Sequence, residues 1–441
     1  MSCEWVNIRL GDFIELKRGY DLPKKSRSAG PIPLISSAGV SDQHSEAKVR
    51  GPGVVTGRYG TIGDVFYIEE DFWPLNTTLY VRDFKGNDPR FTYYFLKTID
   101  YLQYSDKAAV PGVNRNHLHM AEISVPKSVE EQRRIASVLS CLDDKIEAND
   151  TINQTLEQMA QAIFKSWFVD FEPVKAKIAA LEAGGSEEDA LRAAMQAISG
   201  KGEEELTRLQ TEQPEQYAEL RATAELFPSA MQNSELGEIP EGWELSTIGE
   251  EFDVTMGQSP PGDTYNEEGD GVPFFQGRRD FGERFPSNRV YCSSPQRMAN
   301  AGDTLLSVRA PVGDTNIALM HCCIGRGLAA LRHKTGCSSY TYYTIIQLGQ
   351  ALASYDSEGT VFGSINQKNL KALPVVAPAP AVLAAFQQAV APIDGLIRVN
   401  SEETASLADV RDALLPKLLS GELPVSDVED QPTEVAESAN V

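Results

Sequence analysis

The chain has 441 residues, 41% of them hydrophobic and 23% charged, with a net charge of −23. That is ordinary for a soluble globular protein of two or three domains. An acidic total argues against a stand-alone nucleic-acid binder, because phosphate contact dominates such affinity. No run of eighteen or more apolar residues marks a membrane span, and the start MSCEWVNIRLGD lacks the basic-then-apolar pattern of a secretory signal. The cysteines Cys3, Cys141, Cys292, Cys322, Cys323 and Cys337 form no C-x-x-C pair, so they read as free thiols of a cytoplasmic protein, without zinc or a disulfide framework.

Residues 1–128 hold 16 Lys+Arg against 15 Asp+Glu, so the acid lies elsewhere. Short β-branched and aromatic runs such as Gly53-Val54-Val55-Thr56, Val65-Phe66-Tyr67-Ile68 and Thr78-Leu79-Tyr80-Val81 predict a β-rich α+β head. Three clusters in it carry the side chains that read base edges or phosphates. Lys24, Lys25 and Arg27 follow a turn at Pro23. Arg58 and Tyr59 stand between Gly57 and Gly60, where the backbone can approach a ligand. Asn114, Arg115 and Asn116 line up three planar polar groups. Each alone reads equally well as a solvated surface residue. His117 and His119 lack a surrounding acid or cysteine set and read as surface or turn residues, so no metal is expected.

Residues 129–171 predict a long helix with a seam spaced alternately four and three apart: Ile135, Leu139, Leu142, Ile146, Asn149, Asn153, Leu156, Ala160, Ile163 and Trp167. Near its end, Ile163, Phe164, Trp167 and Phe168 are more apolar than a two-helix seam can cover, so exposure to a partner is expected there. Residues 172–240, Ala- and Glu-rich with thin apolar content, read as an acidic linker with helical pieces.

Residues 241–380 repeat the first head. Trp5 to Asp12 recurs as Trp243 to Glu250, Gly19 as Gly257, Ile62-Gly63-Asp64 as Val312-Gly313-Asp314, and Phe91 to Tyr94 as Tyr340 to Tyr343. Val113-Asn114 recurs as Ile365-Asn366. A single match could be chance; the common order makes this a duplication. The candidate readers here are Gln276, Arg278 and Arg279, then Arg309, then Asn366 and Lys368. Residues 381–423 repeat the helix, with seam positions Phe386, Val390, Ile393, Ile397, Asn400, Thr404, Leu407, Arg411, Leu414 and Leu418, each 251 residues after its counterpart. Asn149 and Asn400 fall at matched places, where a polar seam group can fix register. The chain path predicts antiparallel pairing of the two helices; the alternative is that each packs only on its own head. Pro416 should kink or end the second helix. Residues 424–441 read as a disordered acidic tail.

No P-loop, G-x-S-x-G elbow or methyltransferase tetrapeptide is present; the Pro-Pro of Ser259-Pro260-Pro261-Gly262 lacks the aromatic residue. A catalytic function and a cofactor are therefore not expected. Finally, Gly237 to Trp243 (GEIPEGW), Ile163 to Pro173 (IFKSWFVDFEP) and Leu415 to Leu423 (LPKLLSGEL) resemble the specificity subunits of Type I restriction-modification systems. The resemblance implies two target-recognition domains, at 1–128 and 241–380, separated by two long helices paired as an antiparallel coiled coil. It implies a subunit without catalytic activity that reads a bipartite site on double-stranded DNA. Two methyltransferase (modification) subunits would bind the helices and neighbouring segments, and restriction subunits would join further out. The insert at 172–240 departs from that pattern. The other readings are a stand-alone DNA-binding regulator and a coiled-coil assembly scaffold without base readout.

Overall fold

A computed structural model describes residues 4–106, 112–309, 311–357 and 363–425. The chain divides into two compact units, residues 1–151 with 400–441, and residues 152–399.

In the first unit, strand Trp5–Arg9 runs antiparallel to Glu122–Pro126, closing the head just before a helix begins at Val129. Between them lies a four-stranded antiparallel sheet in the order Glu15–Arg18, Thr78–Asp83, Gly53–Gly57, Val65–Ile68. Helix Pro89–Lys97 covers it; Asp88 caps this helix by accepting from the Phe91 amide, and a proline sits in its first turn. Phe91, Tyr94 and Phe95 bury against Phe13, Leu16, Val54 and Leu79. A smaller sheet pairs Ile32–Ser36 antiparallel with Gly39–His44 and parallel with Trp73–Pro74.

The second unit repeats this topology, as the sequence repeats predict. Glu244–Thr247 pairs with Pro374–Ala377, and a four-stranded sheet runs Phe252–Met256, Leu328–His333, Thr304–Val308, Val312–Ile317. Helix Ser338–Gln347 covers it, and Val272–Phe275 pairs parallel with Cys322–Ile324. The matched glycines do matched work. A Cβ on Gly19 would lie 2.1 Å from the Leu75 carbonyl oxygen, and one on Gly257 2.2 Å from that of Gly325.

The long helices are Val129–Phe168 and Pro380–Ser420. None of the twenty predicted seam residues is exposed. Pairing is antiparallel, because partner numbers fall as positions rise. Asp143 meets Arg411 at 2.9 Å and Lys145 meets Glu403 at 3.1 Å in the first unit; Phe164 and Trp167 stack on Phe386 in the second. The matched asparagines do come together, through one side chain. Asn149 Nδ2 donates to the Glu403 carboxylate at 2.7 Å and to the Asn400 backbone carbonyl at 3.5 Å. Packing on the heads also holds: Ile135 and Leu139 join the first head's core, Phe386 and Val390 the second's.

Two expectations change. The second helix passes through exposed Pro416 to Ser420. Leu418 and Leu419, buried in the first head's core, offset a proline cost of roughly 3 kcal/mol. Phe164, Trp167 and Phe168 are not exposed; Phe227, Trp243 and Tyr340 of the same chain cover them. By length and composition Pro380–Ser420 passes for a membrane span, with mean hydropathy 1.3 in one window. Gln387, Gln388 and Asp394 interrupt its apolar run, which stays short of eighteen residues.

The helical pieces expected in residues 172–240 are four helices, followed by a hairpin. Helices Glu172–Glu182, Glu187–Ser199, Glu203–Glu212 and Pro214–Glu225 precede a hairpin of Met231–Ser234 and Gly237–Pro240. Leu191, Met195, Leu206 and Tyr217 form a small core, and Ser186 with Asp189 makes a capping box. Of the acidic tail, residues 426–441 lie outside the described residues.

Candidate nucleic-acid interface

In the first head, the glycine-flanked loop is fastened at its base. The amides of Arg58 and Tyr59 both donate to the Thr77 carbonyl, at 2.9 and 3.2 Å. The Val113 amide donates to the Arg58 carbonyl at 3.1 Å, and Arg58 Nε returns a bond to the Val113 carbonyl at 3.4 Å. The Arg58 guanidinium lies 4.6 Å from the Tyr59 ring centre. The fold therefore joins two of the three predicted clusters, Arg58-Tyr59 and Asn114-Arg115, although 55 residues separate Arg58 from Val113. Arg115 is exposed.

The second head builds the same junction. The Val308 amide donates to the Gly327 carbonyl at 2.9 Å, the Ile365 amide to the Val308 carbonyl at 3.1 Å, and Arg309 bridges to Ser364. Arg309 thus occupies the place of Tyr59, next to Asn366 and Lys368. All three are exposed, and Arg309 and Lys368 hold no ion pair among the described residues.

The remaining candidates divide. Lys24 and Lys25 are exposed on a short 3-10 turn, and no hydrogen bond ties them to Arg58. Arg27 is turned back to Asp42 at 2.7 Å, and this hydrogen bond holds the Asp42 carboxyl below its usual range. Gln276, Arg278 and Arg279 project from a turn organised by buried Asp280. Its carboxylate accepts from the Gln276 amide at 2.6 Å and pairs with Arg289 at 2.6 Å. Arg278 pairs with Asp314, while Arg279 is exposed without an ion pair among the described residues. Asn114 and Asn366 have a local duty. Each caps a short helix, accepting from the Asn116 amide at 3.0 Å and the Asn369 amide at 2.9 Å. Alanine at either position should cost about 1 kcal/mol in chemical denaturation, and aspartate should restore most of it.

Sequence reasoning missed Arg326. It is exposed between Gly325 and Gly327, and a Cβ on Gly327 would lie 2.6 Å from the Gln276 carbonyl oxygen. The Gly-Arg-Gly string, like Gly57-Arg58, was the available signal.

His119 is structural. Its Nε2 accepts from the Leu16 amide at 3.0 Å; burial, then the nearby Arg115 charge, lowers its pKa. Burial lowers that of His333 too. A folded-state pKa below the unfolded value of 6.5 means that the unfolded chain binds more protons in the interval between them. Stability is therefore full above pH 6.5 and falls below it, a trend that urea denaturation between pH 7.5 and pH 5 should record. Among the described residues no group of three or more His, Cys, Asp or Glu could hold a metal ion.

Residues 3–158 match the Type I restriction modification DNA specificity domain. The Type I restriction enzyme HindI specificity subunit of Haemophilus influenzae is 32% identical over 365 residues, 76% of this chain and 77% of that one. The Type I restriction enzyme MjaIX specificity subunit of Methanocaldococcus jannaschii is 25% identical, covering 80% and 74%. In fold, the S subunit of a Type-I restriction-modification system from M. genitalium superposes with a TM-score of 0.56 at 16% identity, covering 95% of this chain and 96% of that one.

Proposed function

The chain belongs to the family of Type I restriction-modification specificity subunits, and from that premise we propose that its two heads each read one half of a split DNA site. The observation that supports this most is the matched junction. In both heads a loop after the same sheet strand is tied to the segment before a capped short helix, and cations stand on it: Arg58 and Arg115 in one, Arg309 and Lys368 in the other. Arg58 is half-buried, while Arg115, Arg309 and Lys368 are exposed; cations on anchored backbone suit guanine edges in the major groove and phosphates alike. Candidate contacts are Lys24, Lys25, Arg58, Tyr59 and Arg115 in the first head, and Gln276, Arg278, Arg279, Arg309, Arg326 and Lys368 in the second. The subunit itself performs no catalysis. It binds double-stranded DNA in a cytoplasmic complex with two modification subunits, to which restriction subunits add.

Changing Arg58 or Arg115 should relax recognition of one half-site by about 1–3 kcal/mol, roughly ten- to a hundredfold, and leave the other intact. Arg309 should do the reverse. Sequencing methylated sites from cells carrying single variants measures both halves together. Equal loss at both halves from one substitution would assign that residue to phosphate contact or to folding.

A further inference from the structure

The repeat allows each site in one unit to be compared with its counterpart in the other. In the second unit Arg284, 6% exposed, fills a site walled by tyrosines and carboxylates. Its guanidinium lies 4.8 Å from the Tyr342 ring centre and 5.7 Å from that of Tyr343, and it pairs with Glu157 and Asp394. Burial works against its charge, but Asp394, Tyr343 and Glu157 outweigh that and hold it protonated.

The first unit keeps part of these walls; the counterpart of Glu157, 251 residues on, is Ala408. Tyr93 and Tyr94 match Tyr342 and Tyr343, Asp143 matches Asp394, and strand Val65–Ile68 matches Val312–Ile317. No arginine stands at the place of Arg284, although Arg90 and Arg411 reach the same site from other elements. Arg284 belongs to the stretch after Phe275, whereas the equivalent strand Ile32–Ser36 turns directly into Gly39–His44. In its place is a cavity of about 580 Å³, lined by Tyr67, Tyr93 and Tyr94. Its carboxylates are Glu69, Glu70, Asp143, Asp144 and Glu147. Asp143 is occupied by Arg411 and by the Tyr94 hydroxyl. Arg90 also lines the cavity, over the Tyr67 ring at 4.8 Å, and meets Glu69 at 2.6 Å and Asp144 at 3.5 Å. Glu70 and Glu147 are exposed and hold no ion pair among the described residues.

We infer that this groove receives an arginine side chain from a protein partner, in trans, where Arg284 serves in cis. The counterpart shows which ligand such walls hold: a flat guanidinium, stacked on a tyrosine and shared by two carboxylates, a geometry that lysine does not reproduce. The volume exceeds one guanidinium and leaves room for the stem and backbone of a segment carrying it. The excess of carboxylates repels phosphate, so nucleic acid is excluded as the occupant. Choosing a subunit of the restriction-modification complex as the partner rests on the family reading above; the chemistry of the groove does not.

The full chain would be titrated with N-acetylarginine methylamide and with its neutral citrulline counterpart, followed by NMR. Saturable binding of the arginine probe, about fivefold or more tighter than citrulline, is expected. The exposed pair Glu70→Gln and Glu147→Gln should weaken it by a similar factor, and should weaken assembly with the modification subunit while the half-site sequences stay unchanged. Equal binding of citrulline, or full binding by the double variant, would overturn the proposal. Probe binding lost with assembly untouched would also overturn it, by making the groove a site for free cations. Loss of DNA specificity in the wild-type complex would count against the family reading and leave the probe result standing.

Discussion

Arg284→Ala should destabilise the second unit by about 3 kcal/mol, the low end of what breaking a buried ion pair costs. Arg284 is 6% exposed, and its partners Glu157 and Asp394 retain 22% side-chain exposure, so water can take over part of their charge. The remainder is two neighbouring carboxylates facing each other beside Tyr342 and Tyr343 without a cation. Glu157 comes from the first long helix and Asp394 from the second, so the loss falls on their pairing as well as on the head. Neutralising both acids in the same protein, Glu157→Gln with Asp394→Asn, should recover more than half of the loss, because the unpaired charge is the main cost. Urea denaturation of the two variants beside the unaltered protein measures this. A change below about 0.5 kcal/mol for Arg284→Ala would mean that solvent already satisfies the site.

The second large effect is on DNA spacing. The helices pair antiparallel with no seam position exposed, and we propose that their length sets the gap between half-sites. Removing one heptad from each, 149–155 together with 400–406, keeps the seam phase and shortens the rod by roughly 10 Å. At about 3.4 Å per base pair that is about three base pairs. The cut also takes out Asn149 and Glu403, whose bond at 2.7 Å fixes register at the centre, so slippage must be checked by crosslinking across the seam. Both half-site sequences should survive, with the preferred gap about three base pairs shorter. An active variant with the original gap would transfer the ruler to the partner subunits.

Much of this architecture was legible because its signals are long or repeated. Ten seam positions in one helix and ten in the other leave little freedom, and none of them is exposed. The duplication predicted matched junctions, and Arg58 and Arg309 sit in them. Less was legible where partners are distant. Arg284 meets Glu157 and Asp394 across 127 and 110 residues, from a stretch with no counterpart in the first head. Phe164, Trp167 and Phe168 read as exposed because Phe227 and Trp243, which help cover them, follow after the insert. The insert read as a linker because so few apolar residues, Leu191, Met195, Leu206 and Tyr217 among them, are enough to close a small helical core. The capping duty of Asn114 and Asn366 was available from the ordinary preference of asparagine at helix starts.

The most direct test of the central claim is a genome-wide map of methylated bases in cells expressing the modification subunit with and without this chain. The account predicts a single split motif, two defined half-sites around an unspecified gap, that appears only when the chain is present and changes in one half when Arg309 is replaced. Methylation at the same motif without the chain, or a contiguous motif with no gap, would contradict it.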